Sequence, residues 1–240
     1  MNSVKYEGYY LQLDIKGFFY NIDKNILFKQ FVRDIDKSDL IYKKEILHLT
    51  NKIIYHNPTL NYQYKGDIQK LKNLPEHKGI PIGNLTSQFF ANVYLNKFDH
   101  YVKRELKIKH YLRYVDDFVL FHKDKKKLIE SKQKIQRYLK EKLDLCLRED
   151  SKLKKVNQGL DFLGYIIRPN YILVRKRVVH NYKYKKAKHL SKYEELQGKM
   201  SLEEIKKFLS VQASFVGHCS HANSFNLINK VGKIDEKKYM

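Results

Sequence analysis

The stretch HYLRYVDDFVLFH (residues 110–122) decides the fold, because two apolar and aromatic runs stand on either side of a pair of aspartates. Residues 110–115 and 118–122 are rich in the residue types that favour strands, and almost nothing separates the two runs. This pattern predicts a tight β-hairpin with Asp116 and Asp117 at its tip. The aspartates alone are a modest signal, since Asp is a common turn residue and a merely polar hairpin tip would look the same.

A strand is also predicted close to the N-terminus, where apolar and polar residues alternate with a period of two. Its apolar set ends at Leu13 and Ile15, and Asp14 lies between them on the opposite face. Helices are predicted over residues 24–33 and over residues 38–55, the second with Ser38 as its cap. After a polar excursion over residues 57–79, a long helix is expected from about Asn84 to Leu106.

The rest of the chain continues the alternation of helices and strands. An apolar stripe on an otherwise charged segment predicts one further helix, through Leu128, Ile135, Leu139 and Leu143. A short strand is expected at residues 145–149, and a second hairpin over residues 160–168 and 171–174, with its turn at Pro169-Asn170. From about Val178 onward the chain is expected to be helical, with a capping box at Ser201 and Glu204.

The order strand, helix, strand, strand, helix, strand predicts an α+β fold, the split β-α-β-β-α-β or ferredoxin-like unit. In a four-stranded sheet of order 4-1-3-2, the end of the first strand lies beside the turn between the second and third strands. Asp14 ends the first strand, and Asp116 and Asp117 form that turn. We therefore expect three carboxylates from distant parts of the chain at one edge of one sheet.

Composition narrows the class of protein. The 240 residues carry 48 Lys and Arg against 26 Asp and Glu, a formal net charge of +22, which favours a polyanionic partner. A hydrophobic content of 42% excludes a disordered basic tail. No stretch resembles a membrane span or a secretory signal, and two cysteines are too few for a disulfide framework. These features favour an intracellular nucleic-acid-binding protein without a membrane association.

Three acidic side chains gathered in so basic a chain require a physical reason, because neighbouring like charges raise each other's pKa. Divalent cations supply one. Mg²⁺ binds to a few carboxylates together with substrate phosphate oxygens, and two such ions act together in phosphoryl transfer.

Four sequence blocks resemble successive conserved blocks of reverse transcriptases, in the family's order. They are LDIKGFFYNID (residues 13–23), GIPIGNLTSQFFANVYLN (residues 79–96), YVDD (residues 114–117) and LDFLGY (residues 160–165). The second block is most similar to the reverse transcriptases of diversity-generating retroelements, which are bacterial and phage systems. SFVGHCSHAN (residues 214–223) also resembles their thumb region.

The resemblance implies a catalytic set of Asp14, Asp116 and Asp117. It implies metal ligation by Asp14, Ile15, Asp116 and Asp117, with two Mg²⁺ ions as cofactors and Mn²⁺ as a substitute. Phe19, beside Phe18, falls where these enzymes place a bulky ring that blocks a 2′-hydroxyl. Ordinary core packing of Phe19 is the alternative.

Further residues of the same blocks are implied in substrate binding. Contact with the nucleotide is implied for Phe18, Phe19, Ile82, Gly83, Ser87 and Gln88, with Asn84 at the helix start. A turn glycine and a helix-start serine are the plain alternatives for Gly83 and Ser87. Leu163, Gly164 and Tyr165 resemble the hairpin that holds the primer strand, and a simple aromatic hairpin is the alternative there.

The C-terminal part contains a nearly one-signed basic stretch with interleaved tyrosines, which favours contact with nucleic-acid phosphates over a merely solvated helix face. The residues expected to contact the backbone are Arg175, Lys176, Arg177, Lys183, Lys185, Lys186 and Lys188. His218, Cys219 and His221 do not predict a zinc site, because no second Cys and His cluster supplies the remaining ligands. Lys152 is a candidate for the lysine that assists proton transfer in polymerases, with Lys154 and Lys155 as alternatives.

These expectations divide the chain into a palm (residues 1–156, with an insertion at 24–78), a primer-grip-like hairpin (157–175) and a helical basic thumb (176–240). The fingers that normally precede the first catalytic strand are expected to be missing. The expected function is RNA-directed DNA synthesis on a template RNA with a DNA primer and dNTPs, in the cytoplasm of a bacterial or phage-infected cell, with a basic oligomeric accessory protein as a partner. The alternatives are a catalytically incomplete fragment that binds RNA, and an RNA-dependent RNA polymerase.

Overall fold

A computed structural model describes residues 7–57, 69, 72–82, 85–196 and 199–232 of the chain. The chain divides into two compact units, one of Gly8–Lys154 and the other of Met1–Glu7 together with Lys155–Met240. Helices and sheets are mixed in both units. Within the described part of the chain, no helix is both long enough and apolar enough to cross a membrane.

The first unit contains a four-stranded sheet. Its strands are β1 (Tyr9–Asp14), β2 (His110–Tyr114), β3 (Asp117–His122) and β4 (Lys152–Lys155), in the order β2-β3-β1-β4. Strand β3 pairs antiparallel with both β1 and β2. This is the 4-1-3-2 order that the sequence predicts, so the end of β1 lies beside the turn between β2 and β3.

The strand boundaries correct two predictions. Since β2 ends at Tyr114 and β3 begins at Asp117, the turn is Val115-Asp116 rather than Asp116-Asp117. The strand predicted at residues 145–149 is only an isolated bridge between Leu147 and Ile15, and the fourth strand lies further along the chain.

In sequence order, the described helices of the first unit lie between these strands. They are α1 (Phe18–Asn21), α2 (Lys24–Asp36), α3 (Lys43–Tyr55), α4 (Leu85–His100), which continues as a π-helical turn (Tyr101–Glu105), and α5 (Lys125–Leu143). Asp23 caps α2, because its carboxylate accepts hydrogen bonds from the amides of Asn25 and Ile26. The prediction that Ser38 caps α3 is wrong, because α3 begins only at Lys43. The Ser38 hydroxyl donates to the Ile35 carbonyl near the end of α2 at 2.6 Å.

The hydrophobic core of the first unit lies between one face of the sheet and helices α4 and α5. Leu11, Leu13 and Phe118 from the strands pack in one cluster with Phe98 of α4 and Leu139 of α5, and all five are at most 1% exposed. Burying each such side chain contributes about 1.5–3 kcal/mol. The opposite face of the sheet carries Asp14, because strand residues alternate between the two faces.

The second unit contains a three-stranded sheet followed by helices. The sheet is formed by β5 (Leu160–Phe162), β6 (Tyr165–Ile167) and β7 (Ile172–Val174) in that order. The predicted single strand over residues 160–168 is therefore interrupted, because Leu163 and Gly164 both have positive φ and form a turn. The helices are α6 (Lys176–Glu195), α7 (Leu202–Ser220) and α8 (Phe225–Leu227), with a final π-helical turn (Ile228–Gly232).

Helix α7 begins at the predicted capping box. The Ser201 hydroxyl accepts from the Glu204 amide, and the Glu204 carboxylate accepts in return from the Ser201 amide. Tyr182 of α6 and Phe215 of α7 stack in parallel with 3.9 Å between their ring centroids, in a small core that also contains Cys219 and Val231.

Candidate active site

The sheet brings two of the three predicted aspartates together. Asp14, the last residue of β1, and Asp117, the first residue of β3, are direct partners in the antiparallel pairing. Gln12 lies two residues before Asp14 on the same strand face, and its Nε2 donates to Asp117 Oδ1 at 3.2 Å. Gln12 therefore orients the Asp117 carboxylate, a role that the sequence analysis missed although the spacing of two residues was visible.

Asp116 lies in the adjoining turn and is partly buried. Burial raises the pKa of its carboxyl group, and the negative charges of Asp14 and Asp117 raise this pKa further. These three groups therefore influence one another, as the sequence predicts. A cation at this position would relieve their repulsion.

Asp14 has a cationic neighbour that the sequence analysis did not identify. Arg148 Nη1 lies 3.2 Å from Asp14 Oδ2, and the Arg148 amide donates to the Asp14 carbonyl at 2.8 Å. The same guanidinium contacts both carboxylate oxygens of Asp150, at 3.1 and 3.2 Å. Burial raises the pKa of Asp14, while the Arg148 charge acts in the opposite direction. Arg148 thus partly neutralises the acidic edge.

A metal-binding set is only partly assembled at this edge. Within the described ranges, no group of three or more His, Cys, Asp or Glu residues is arranged to hold a metal ion. Asp14 is engaged by Arg148, and Asp117 accepts from Gln12. The Ile15 side chain is a hydrocarbon without a donor atom and lies in the core at 1% exposure, so only the main-chain carbonyl of this residue could serve as a ligand. The carboxylate oxygens are nevertheless the donor type that Mg²⁺ prefers, and their mutual repulsion fits a cation there.

The residues predicted to contact the nucleotide differ in accessibility. Phe18 is 1% exposed and packs 6.5 Å from the Tyr94 ring, so it belongs to the core. Phe19 is half-buried beside Phe18, with 5.5 Å between the ring centroids. Ser87 is 2% exposed, which leaves its hydroxyl little access to a ligand.

Two further predicted nucleotide contacts, Ile82 and Gln88, lie just before α4 and in its first turn. Ile82 is 36% exposed, and Gln88 is also exposed. Gly83 and Asn84 lie outside the described residues.

The predicted primer-grip residues form the turn between β5 and β6 in the second unit. Leu163 is 44% exposed at its tip. Tyr165 stacks on the His218 ring with 4.3 Å between centroids, and its hydroxyl donates to the His218 carbonyl at 2.8 Å. Gly164 lies close to the His218 ring, so that an added Cβ would be 3.0 Å from His218 Cε1. His218 therefore fixes this turn from α7.

The predicted basic residues do not form one surface. Arg175 pairs with Asp161, and Lys186 Nζ donates to the Val231 carbonyl at 3.0 Å. Burial also lowers the pKa of Lys186, so neither cation is presented freely to a polyanion. The remaining five are exposed on α6: Lys176, Arg177, Lys183, Lys185 and Lys188.

Helix geometry separates these five into two faces, because successive residues turn by about 100°. Arg177, Lys185 and Lys188 lie within about 80° of one another. Lys176 and Lys183 lie on the opposite side.

The histidines and cysteine near the end of α7 do not gather metal ligands. Cys219 is buried in the small core of the second unit, and the described residues form no cluster of metal ligands there. The expectation that this segment holds no zinc stays a prediction. Lys152 is exposed on β4, and its predicted role in proton transfer stays a prediction.

The fold is similar to that of solved telomerase structures. Apo telomerase from Candida tropicalis has a TM-score of 0.53 and 17% identity, covering 87% of this chain and 36% of that one. Telomerase from Candida tropicalis in complex with a TWJ fragment of telomeric RNA has a TM-score of 0.51 and 15% identity, covering 95% and 41%. At these identities the similarity concerns the fold alone. The chain spans about two fifths of the telomerase chains it resembles.

Sequence comparison identifies the family. No curated protein matches the chain significantly. Residues 1–167, which include β1, the β2–β3 hairpin and all three aspartates, match the family described as reverse transcriptase (RNA-dependent DNA polymerase). Since this match covers well over half of the 240 residues, the chain belongs to the reverse transcriptase family.

Proposed function

We propose that this protein is an RNA-directed DNA polymerase that extends a primer 3′-hydroxyl with dNTPs on an RNA template. The observation that carries the proposal is the pairing of Asp14 with Asp117 on adjacent strands, beside Asp116 in the turn. Three carboxylates at one sheet edge, in a chain of net charge +22, suit a reaction on a polyanionic substrate.

Asp14, Asp116 and Asp117 would hold Mg²⁺, with Mn²⁺ as a substitute and the main chain of Ile15 nearby. When bound, a pair of such ions supplies charge neutralisation of the triphosphate oxygens and a lower pKa at the primer hydroxyl. Gln12 keeps the Asp117 carboxylate oriented. Arg148 contacts Asp14 and is held at two points by Asp150, so its guanidinium would keep a carboxylate partner if a cation bound Asp14.

Phe19 would set the preference for deoxynucleotides. Its half-buried ring packs on the core beside Phe18, which gives it a fixed position near the end of β1. A rigid ring excludes a 2′-hydroxyl by its volume rather than by a hydrogen bond. The exposed Gln88 and Ile82 are further candidates for contact with the nucleotide.

The proposal assigns residues 1–156 to a ferredoxin-like polymerase palm, 157–175 to a primer-grip hairpin and 176–240 to a helical thumb. The GNLTSQ sequence of residues 83–88 is the basis for placing the enzyme among diversity-generating retroelements. In that setting its partners are a structured template RNA, a DNA primer and a basic oligomeric accessory protein, in the cytoplasm of a bacterial or phage-infected cell.

Primer extension tests the proposal. The protein is incubated with dNTPs and Mg²⁺ on poly(rA)/oligo(dT) and on a heteropolymeric RNA template with a DNA primer. Template-dependent incorporation of dNTPs supports the polymerase. Tight RNA binding without incorporation would instead identify a catalytically incomplete RNA-binding module, and a preference for rNTPs would identify an RNA polymerase.

A further inference from the structure

The turn that carries Asp116 contains a sterically disfavoured residue. Val115 has φ of 57°, in the left-handed region, which is unusual for a β-branched side chain. The turn joins β3 to β2, and β2 is an edge strand with only one neighbour in the sheet. Strand pairing therefore supports this turn from one side only, and another contact must stabilise it.

Arg113 supplies that contact. Its Nη1 donates to the Val115 carbonyl at 2.8 Å and to Asn92 Oδ1 at 3.2 Å. The other edge of the guanidinium forms a two-point fork with Asp99 of α4, Nε to Oδ1 at 2.8 Å and Nη2 to Oδ2 at 2.6 Å. The Tyr111 hydroxyl donates to Asp99 Oδ1 at 2.7 Å.

Arg113 is largely shielded from water, while its partner Asp99 is 30% exposed and Asn92 is exposed. The Arg113 side chain is 10% exposed. Burial disfavours its charged form, but hydrogen bonding and attraction to Asp99 outweigh burial, so that the pKa of Arg113 is raised. Asn92 and Asp99 are seven residues apart and therefore share one face of α4. The turn is thus tied to a rigid helix through a planar group with a fixed geometry.

We propose that Arg113 is a positioning residue, which holds the strained Val115 turn against α4 and thereby fixes the carboxylate of Asp116. The proposal rests on the proposed function for its effect on catalysis. A lysine at position 113 keeps the charge but cannot bind Asp99 at two points while it also donates to the Val115 carbonyl.

The first test uses Arg113→Lys and Arg113→Met, with the exposed Arg137→Lys as the matched control. Nucleotide addition is measured per folded molecule, well below the melting temperature. We expect kcat to fall by about tenfold to a hundredfold in both Arg113 variants, with little change in the KM for dNTP, because a small displacement of a reacting group is costly. Arg137→Lys should match the parent. A folded Arg113→Lys protein with the parent's kcat would overturn the proposal.

A second substitution that restores activity distinguishes a positioning role of Arg113 from a general effect on stability. Glycine adopts positive φ without a steric penalty, so Val115→Gly should need less support from Arg113. We expect Arg113→Met combined with Val115→Gly to recover several-fold in kcat over Arg113→Met alone. If Arg113 served only to stabilise the fold, kcat per folded molecule would equal the parent's already in Arg113→Met, and Val115→Gly would not change it.

Hydrogen exchange tests the contact between Arg113 and the turn without requiring polymerase activity, so its outcome does not depend on the proposed function. In hydrogen exchange, amides of residues 114–118 should exchange about tenfold faster in Arg113→Lys, while those of α4 keep the parent's rates. This result is expected even from a protein that fails to extend primers, in which case the proposed function alone fails. Unchanged exchange at residues 114–118 would contradict the proposed tie between Arg113 and the turn.

Discussion

Replacing Gly164 by alanine tests how the turn between β5 and β6 is held. Gly164 has φ of 88°, which costs an alanine about 1–2 kcal/mol. The added Cβ would also lie 3.0 Å from His218 Cε1 and 3.1 Å from His218 Nε2, closer than normal contact. Overpacking of this kind adds about 1–3 kcal/mol. We therefore expect Gly164→Ala to destabilise β5–β7 by about 2–5 kcal/mol.

The crowding contribution can be isolated with a second substitution. In a His218→Ala background the ring is absent, so Gly164→Ala should cost only the backbone contribution of about 1–2 kcal/mol. Gly217→Ala is the matched control, because an added Cβ there meets nothing within 4 Å. Since glycine is unfavourable inside a helix, Gly217→Ala should stabilise α7 by about 0.5–1 kcal/mol.

Native-state hydrogen exchange of the intact chain gives the opening free energy of β5–β7 in each variant. An equal cost of Gly164→Ala in the two backgrounds would refute the reasoning, because it would mean that the His218 ring does not restrict this position. A cost below 1 kcal/mol in the parent background would contradict the positive φ as well.

Three further predictions concern the nucleotide, the polyanion and pH. Phe19→Val should raise the ratio of kcat/KM for rNTP to kcat/KM for dNTP about tenfold or more. An unchanged ratio in an active variant would mean that Phe19 serves only in core packing. Duplex binding should lose about two units of salt slope when Gln replaces both Lys185 and Lys188, which share a face of α6 with Arg177. The same replacement of Lys176 and Lys183 on the opposite face removes as much charge and should leave the slope unchanged. Burial lowers the pKa of His189, so the folded state releases its proton more readily than the unfolded chain, and α6–α7 should lose stability as pH falls below about 6.5. Urea unfolding at pH 8 and pH 5 checks this, and an equal pH dependence in His189→Leu would contradict it.

The sequence predicts the sheet well because strand patterns fix which face each residue occupies. The alternation around Leu11 and Leu13 places Asp14 on the opposite face, and the short spacing of β2 and β3 forces an antiparallel hairpin. The pairing of Asp14 with Asp117 follows from these two facts and the strand order. The start of α3 was less predictable. Ser38 is a suitable cap by residue type, but its hydroxyl bonds to the Ile35 carbonyl near the end of α2, and α3 begins only at Lys43.

The contacts that support the aspartates could not be predicted from sequence. Arg148 is 134 positions from Asp14, and no pattern in the sequence distinguishes it from the other cations of so basic a chain. The fork between Arg113 and Asp99 depends on the orientation of α4 against β2, which packing alone determines. By contrast, the sequence does indicate that residues 160–168 form two strands rather than one, because Gly164 is suited to a turn with positive φ.

The most direct test of the central claim compares Asp116→Asn with Asp39→Asn, an exposed position where the same charge is removed. Single-nucleotide incorporation and template–primer affinity are measured for both variants with dNTP and Mg²⁺ on an RNA template. We predict that Asp116→Asn retains the parent's affinity but loses incorporation by at least about a thousandfold, whereas Asp39→Asn equals the parent in both measurements. Incorporation by Asp116→Asn at the parent's rate would contradict the assignment of this sheet edge as the active site.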